Sequence, residues 1–74
     1  MNEKKKLLIS ANELAELLGV SPRTVWRMNA TDALPAPVKL NRSVKWVLAE
    51  VTAWIELGCP SRFEFEMSKQ ELLR

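Results

Sequence analysis

The chain has 74 residues and a net charge of +2, room for one small domain that buries about 60% of its unfolded surface on folding. It has no histidine, no tyrosine and one cysteine, Cys59, so it lacks the commonest general base, the commonest zinc ligand and any internal disulfide, and no metal or other cofactor is expected. Its two glycines, Gly19 and Gly58, cannot build a phosphate-cradling loop, and scattered carboxylates, lysines and serines give little basis for an enzyme.

Residues 1–9 form a basic arm. Lys4, Lys5 and Lys6 precede only Leu7, Leu8 and Ile9, too short an apolar run for a signal-peptide core, and no stretch is long enough to span a membrane. Ser10 and Glu13 have capping-box spacing, with Ile9 and Leu14 placed for a hydrophobic staple. Leu14, Leu17 and Leu18 then fall at i, i+3, i+4, with Ala11 and Ala15 on the same side. This predicts a helix from Ala11 to Leu18 that stops at Gly19, where a left-handed conformation is cheap.

Ser21 caps a second helix and Pro22 suits its first position, where the missing N–H would have no partner anyway. Val20 and Val25 form a second staple. Val25 and Met28 face the core, Arg23 and Arg27 face away from it, and Thr24 and Trp26 lie on the flanks. Ala15, Gly19 and Val25 have the spacing of a helix-turn-helix: a small residue for close approach, a glycine at the turn, and a β-branched residue packing helix two on helix one. Leu14, Leu18, Val20 and Met28 fill its apolar positions. An ordinary helical hairpin would need the same packing residues but not the outward pair of arginines.

Leu34-Pro35-Ala36-Pro37 is extended, because each proline restricts itself and its predecessor. Two short strands, 38–40 and 44–46, follow around a turn of Asn41-Arg42-Ser43. Alternation directs Val38, Leu40, Val44 and Trp46 inward and Lys39 and Lys45 outward, with Arg42 at the tip. Such a basic hairpin is either a wing that touches DNA backbone or minor groove, or a hairpin that merely closes the core. A third helix is predicted over 48–57, ending at Gly58 with Pro60 beyond; Leu48, Val51, Trp54 and Ile55 form its apolar face. Trp46 and Trp54 read as core. In the C-terminal extension, Phe63, Phe65 and Met67 alternate with Glu64 and Glu66 like a strand, although the segment equally frames a helix. Ser68 and Glu71 make another capping box ahead of Leu72 and Leu73. The phenylalanines either fold back on the core or form a sticky tail for self-association or for a partner protein.

Charge is unevenly spread. Residues 1–20 are neutral and residues 47–74 sum to −2, whereas residues 21–46 carry Arg23, Arg27, Lys39, Arg42 and Lys45 against Asp32 alone. A polyanion would be met there.

Four blocks resemble the phage and prophage regulator family of the AlpA type, which is related to excisionases and more distantly to the MerR-type winged helix. They are the run from Glu13 to Val25, Leu34-Pro35-Ala36-Pro37-Val38-Lys39-Leu40, Arg42-Ser43-Val44-Lys45-Trp46, and Glu50-Val51-Thr52-Ala53-Trp54-Ile55. Asp32 stands where members often have glycine between helix two and the wing, the wing turn lacks glycine, and Leu48 replaces a commonly polar residue opening helix three. The resemblance implies a mainly α fold with a small β-hairpin: a winged helix-turn-helix of three helices plus a wing, over residues 10–58, with a C-terminal extension, 59–74. It implies a transcriptional regulator or excisionase acting on double-stranded DNA, beside an integrase or self-associated on tandem sites, and the lone thiol of Cys59 fits a reducing cytoplasm. The expected DNA-binding residues are Ser21, Pro22, Arg23, Thr24 and Arg27 on helix two, and Lys39, Arg42 and Lys45 on the wing. The competing class is a protein-interaction module on a winged-helix scaffold, with Trp26, Phe63, Phe65 and Leu72 as exposed anchors.

Overall fold

In the computed structural model, which describes residues 6–72, the elements run β1 (Leu8–Ile9), α1 (Ala11–Leu18), α2 (Pro22–Ala30), β2 (Val38–Leu40), β3 (Ser43–Val47), α3 (Leu48–Glu56) and α4 (Arg62–Leu72). Lys4, Lys5 and Leu73 lie outside the described residues, as do the side chains of Glu71 and Leu72. The fold is mainly helical with a small antiparallel sheet of order β1-β3-β2, a winged helix-turn-helix. A third strand and a fourth helix add to the predicted three helices and hairpin.

Both limbs of the first capping box form. The Ser10 amide donates to Glu13 Oε1 at 2.9 Å, and the Glu13 amide donates to Ser10 Oγ at 3.1 Å. Gly19 ends α1 at φ +74°, and a Cβ there would meet nothing within 4 Å, so the backbone conformation favours glycine and space does not. Lys6 also donates to and pairs with Glu13. That bond, followed by the Ser10 amide, holds the Glu13 carboxyl down to about 2. A depressed carboxylate stabilises the fold above its ordinary value of 4.5 and loses that contribution as pH falls from there toward about 2. An NMR titration of Glu13 should therefore have its midpoint near 2; a midpoint near 4.5 would show that the Lys6 and Ser10 bonds do not hold in solution.

The core gathers Ile9, Leu14, Ala15, Val25, Leu34, Trp46, Val51, Trp54 and Phe65 from all four helices, the sheet and the proline-rich segment. Burying two tryptophans requires partners for their N–H groups. Trp46 Nε1 donates to Pro35 O at 3.1 Å and Trp54 Nε1 to Pro60 O at 2.7 Å. The predicted α1 stripe is corrected at Leu17, which is 56% exposed. The buried arc is centred between Leu14 and Ala15, and Leu17 falls about 110° from that centre at 3.6 residues per turn. Ile55 likewise leaves the buried face of α3, which Val51 and Trp54 define.

α3 continues straight out of β3 with Val47 at its N-cap and no side-chain cap. The Leu48 amide donates to Leu7 O at 2.9 Å, so the chain just before β1 satisfies the first free amide of the helix.

The extension is a helix. Its cap is Ser61, whose Oγ accepts from the Glu64 amide at 3.2 Å while Glu64 Oε1 accepts from the Ser61 amide at 3.3 Å. Ser68 is therefore mid-helix and caps nothing, a correction to the predicted second box. The two phenylalanines divide: Phe65 is 1% exposed and Phe63 is 73% exposed, because residues two apart on a helix point in different directions. Lys69 pairs with Glu50 of α3 at 3.0 Å and with Glu66 at 3.3 Å, and sits over the Phe65 ring. Burial lowers the affinity of this ammonium for its proton, but Glu50 and then Glu66 outweigh it and raise its pKa overall.

Candidate nucleic-acid interface

The leading end of α2 is built by its cap. Ser21 Oγ accepts from the Thr24 amide at 3.2 Å and lies 3.1 Å from Thr24 Oγ1, with Pro22 in the first turn. Val25 is fully buried against α1, and Met28 packs beside it, which turns Arg23 and Arg27 to solvent. Trp26 on the flank is 45% exposed; its ring meets that of Trp46 at 5.6 Å between centroids, tilted by 59°. This contact links α2 to β3, the central strand that also forms half of the wing.

The wing differs from the predicted hairpin in one respect with consequences for every side chain on it. Ser43 belongs to β3 and pairs with Leu40, so the turn is Asn41-Arg42 and not Asn41-Arg42-Ser43. Asn41 takes φ +62°, a conformation that asparagine tolerates better than most residues. Shortening the turn by one residue changes the pairing parity. Lys39 stands opposite Val44, on the face that carries Trp46, while Val38 stands opposite Lys45 on the other face. The predicted inward set is thereby corrected: Trp46 is buried and Val44 partly so, but Val38 and Leu40 are exposed, Leu40 by 56%. The two wing lysines lie on opposite faces of the hairpin, with Arg42 exposed at its tip.

Among the described residues, ion pairs join Lys6 to Glu13, Arg62 to Asp32, and Lys69 to Glu50 and Glu66. None involves Arg23, Arg27, Lys39, Arg42 or Lys45. Asp32, the one acid of the middle third, is itself neutralised by Arg62. Five cations that make no ion pair among the described residues thus stand on two elements, α2 and the wing, which the Trp26–Trp46 contact links. Arg62 was missed in the sequence, and no local pattern marks it, since its partners lie 28 to 33 residues away. Among the described residues no cluster of His, Cys, Asp and Glu could hold a metal ion, and no helix is long and apolar enough to cross a membrane.

A family described as "Helix-turn-helix domain" matches residues 8–56 of this chain. No curated protein and no solved structure matches it.

Proposed function

Because the chain belongs to this helix-turn-helix domain family, we propose that it is a sequence-specific double-stranded DNA-binding protein, acting without catalysis as a phage or prophage excisionase or as an AlpA-type transcriptional regulator. The observation that carries the reading is the set of five cations on α2 and the wing that make no ion pair among the described residues, while Asp32, the one acid of that stretch, is engaged by Arg62. α2 enters the major groove. Arg23, Thr24 and Arg27 address base edges and nearby phosphates, and an arginine facing guanine makes the bidentate contact. The N-terminus of α2 receives a phosphate beside Ser21 and Pro22, on the Arg23 amide, since Pro22 has no N–H and the Thr24 and Val25 amides are engaged by Ser21. Lysines on both faces of the wing and Arg42 at its tip suit a hairpin placed edge-on into the minor groove, about 6 Å wide, between two rails of phosphate.

One module of this size buries only about 600–1,000 Å² on DNA. Useful specificity therefore calls for self-association on tandem sites or for a partner such as an integrase. The lone thiol of Cys59 suits a reducing cytoplasm. The interaction-module reading is weaker, since Phe65 is in the core, and Trp26 is turned to Trp46 and leaves Arg23 and Arg27 exposed.

Footprinting over the gene's own neighbourhood, with the bend angle measured on the bound fragment, tests the proposal. Bending with several protomers on direct repeats identifies an excisionase, and one promoter-proximal operator identifies a regulator. With four or five phosphates neutralised, log K should fall against log salt with a slope of roughly −4 to −5. No protected site together with a salt-independent affinity would overturn the reading.

A further inference from the structure

Arg62 lies beyond the residues matched by the family, yet it reaches back to the end of α2. Its Nη2 donates to Asn29 Oδ1 at 2.8 Å, its Nη1 to Asp32 Oδ1 at 2.7 Å and its Nε to Leu34 O at 2.9 Å. Its backbone amide donates to Asp32 O at 2.9 Å. Asn29 belongs to the last turn of α2, and Leu34 opens the extended run to the wing. Between them Asp32 takes φ +59°, a conformation that residues other than glycine rarely adopt, and the two bonds from Arg62 hold it there.

We infer that Arg62 is a positioning residue for DNA recognition: without touching DNA, it fixes how the chain leaves α2 for the wing, so that the two basic elements meet one duplex together. α4 is then part of the DNA-reading unit. The inference rests on the DNA-binding reading above. Arginine is required because its rigid planar fork presents donors in three fixed directions, whereas the lysine ammonium is a compact point charge on a flexible stem. At its other end α4 is tied to α3 by Lys69 and Glu50, far from these acceptors in the chain, which provides a control.

The test uses the full chain and a duplex that the wild type enriches from a random-sequence pool. Binding is measured at a temperature where circular dichroism shows Arg62→Lys and Lys69→Met fully folded. Arg62→Lys should weaken binding about tenfold, within the range of ordinary coupling between sites, with the salt slope unchanged. Amide hydrogen exchange over residues 31–34 should accelerate in the same variant without DNA, and Lys69→Met should bind like the wild type. Wild-type affinity in Arg62→Lys overturns the inference. So does a slope smaller by about one, which would mean that Arg62 itself meets a phosphate. Equal weakening in Lys69→Met also overturns it, by assigning the effect to general loosening of α4. A wild-type chain that enriches no sequence instead overturns the DNA-binding reading, and this inference with it.

Discussion

Replacing Arg23 and Arg27 together with alanine should leave the fold intact and cost about 2–6 kcal/mol of duplex binding, at about 1–3 kcal/mol for each bidentate contact to a base. That is a loss of at least about thirtyfold in Kd. The fold should tolerate the change because both side chains are exposed and make no ion pair among the described residues. Alanine is also the best helix former, so α2 loses no intrinsic propensity. The salt slope separates two ways of failing. Arginines that read bases leave the slope near its wild-type value while discrimination between sequences collapses, whereas arginines that meet phosphates each reduce its magnitude by about 0.9. Fluorescence anisotropy on the enriched duplex and on a scrambled one, at several salt concentrations, reads both. Unchanged affinity in the double variant would remove α2 from the interface.

Phe65→Ala should be the most damaging single truncation in α4, costing about 3–5 kcal/mol for a fully buried aromatic side chain. A chain of 74 residues has about 4–11 kcal/mol of stability in total, so the variant should be largely unfolded at the lower end of that range and strongly destabilised at the upper end. Phe63→Ala, two residues away but exposed, should stay within about 0.5 kcal/mol of the wild type. Urea denaturation measures the contrast as a shift in midpoint. Equal effects of the two substitutions would mean that α4 does not dock as described. The comparison matters for function because α4 carries Arg62, and an undocked α4 could not hold the end of α2.

Features that depend on neighbours within about one helical turn are legible in the amino-acid order. Ser10 with Glu13, Ser21 with Pro22, and Gly19 state where α1 ends and where α1 and α2 begin, because free amides and carbonyls at helix ends must be satisfied locally. The same local logic sets the identity of Trp46 and Trp54 as core and the outward aspect of Arg23 and Arg27. Tertiary structure alone decided the wing register, where Leu40 pairing with Ser43 and not Val44 moves Lys39 and Lys45 to opposite faces. Both turns are compatible with the same short strands, and burial of Trp46 against Ile9, Pro35 and Trp26 selects one of them. It also decided which phenylalanine is buried, that Leu17 is not, and that Arg62 closes on residues 29–34. Those choices join groups up to 33 residues apart. No local pattern distinguishes them, since each depends on which distant segments pack together and on where buried polar groups find partners.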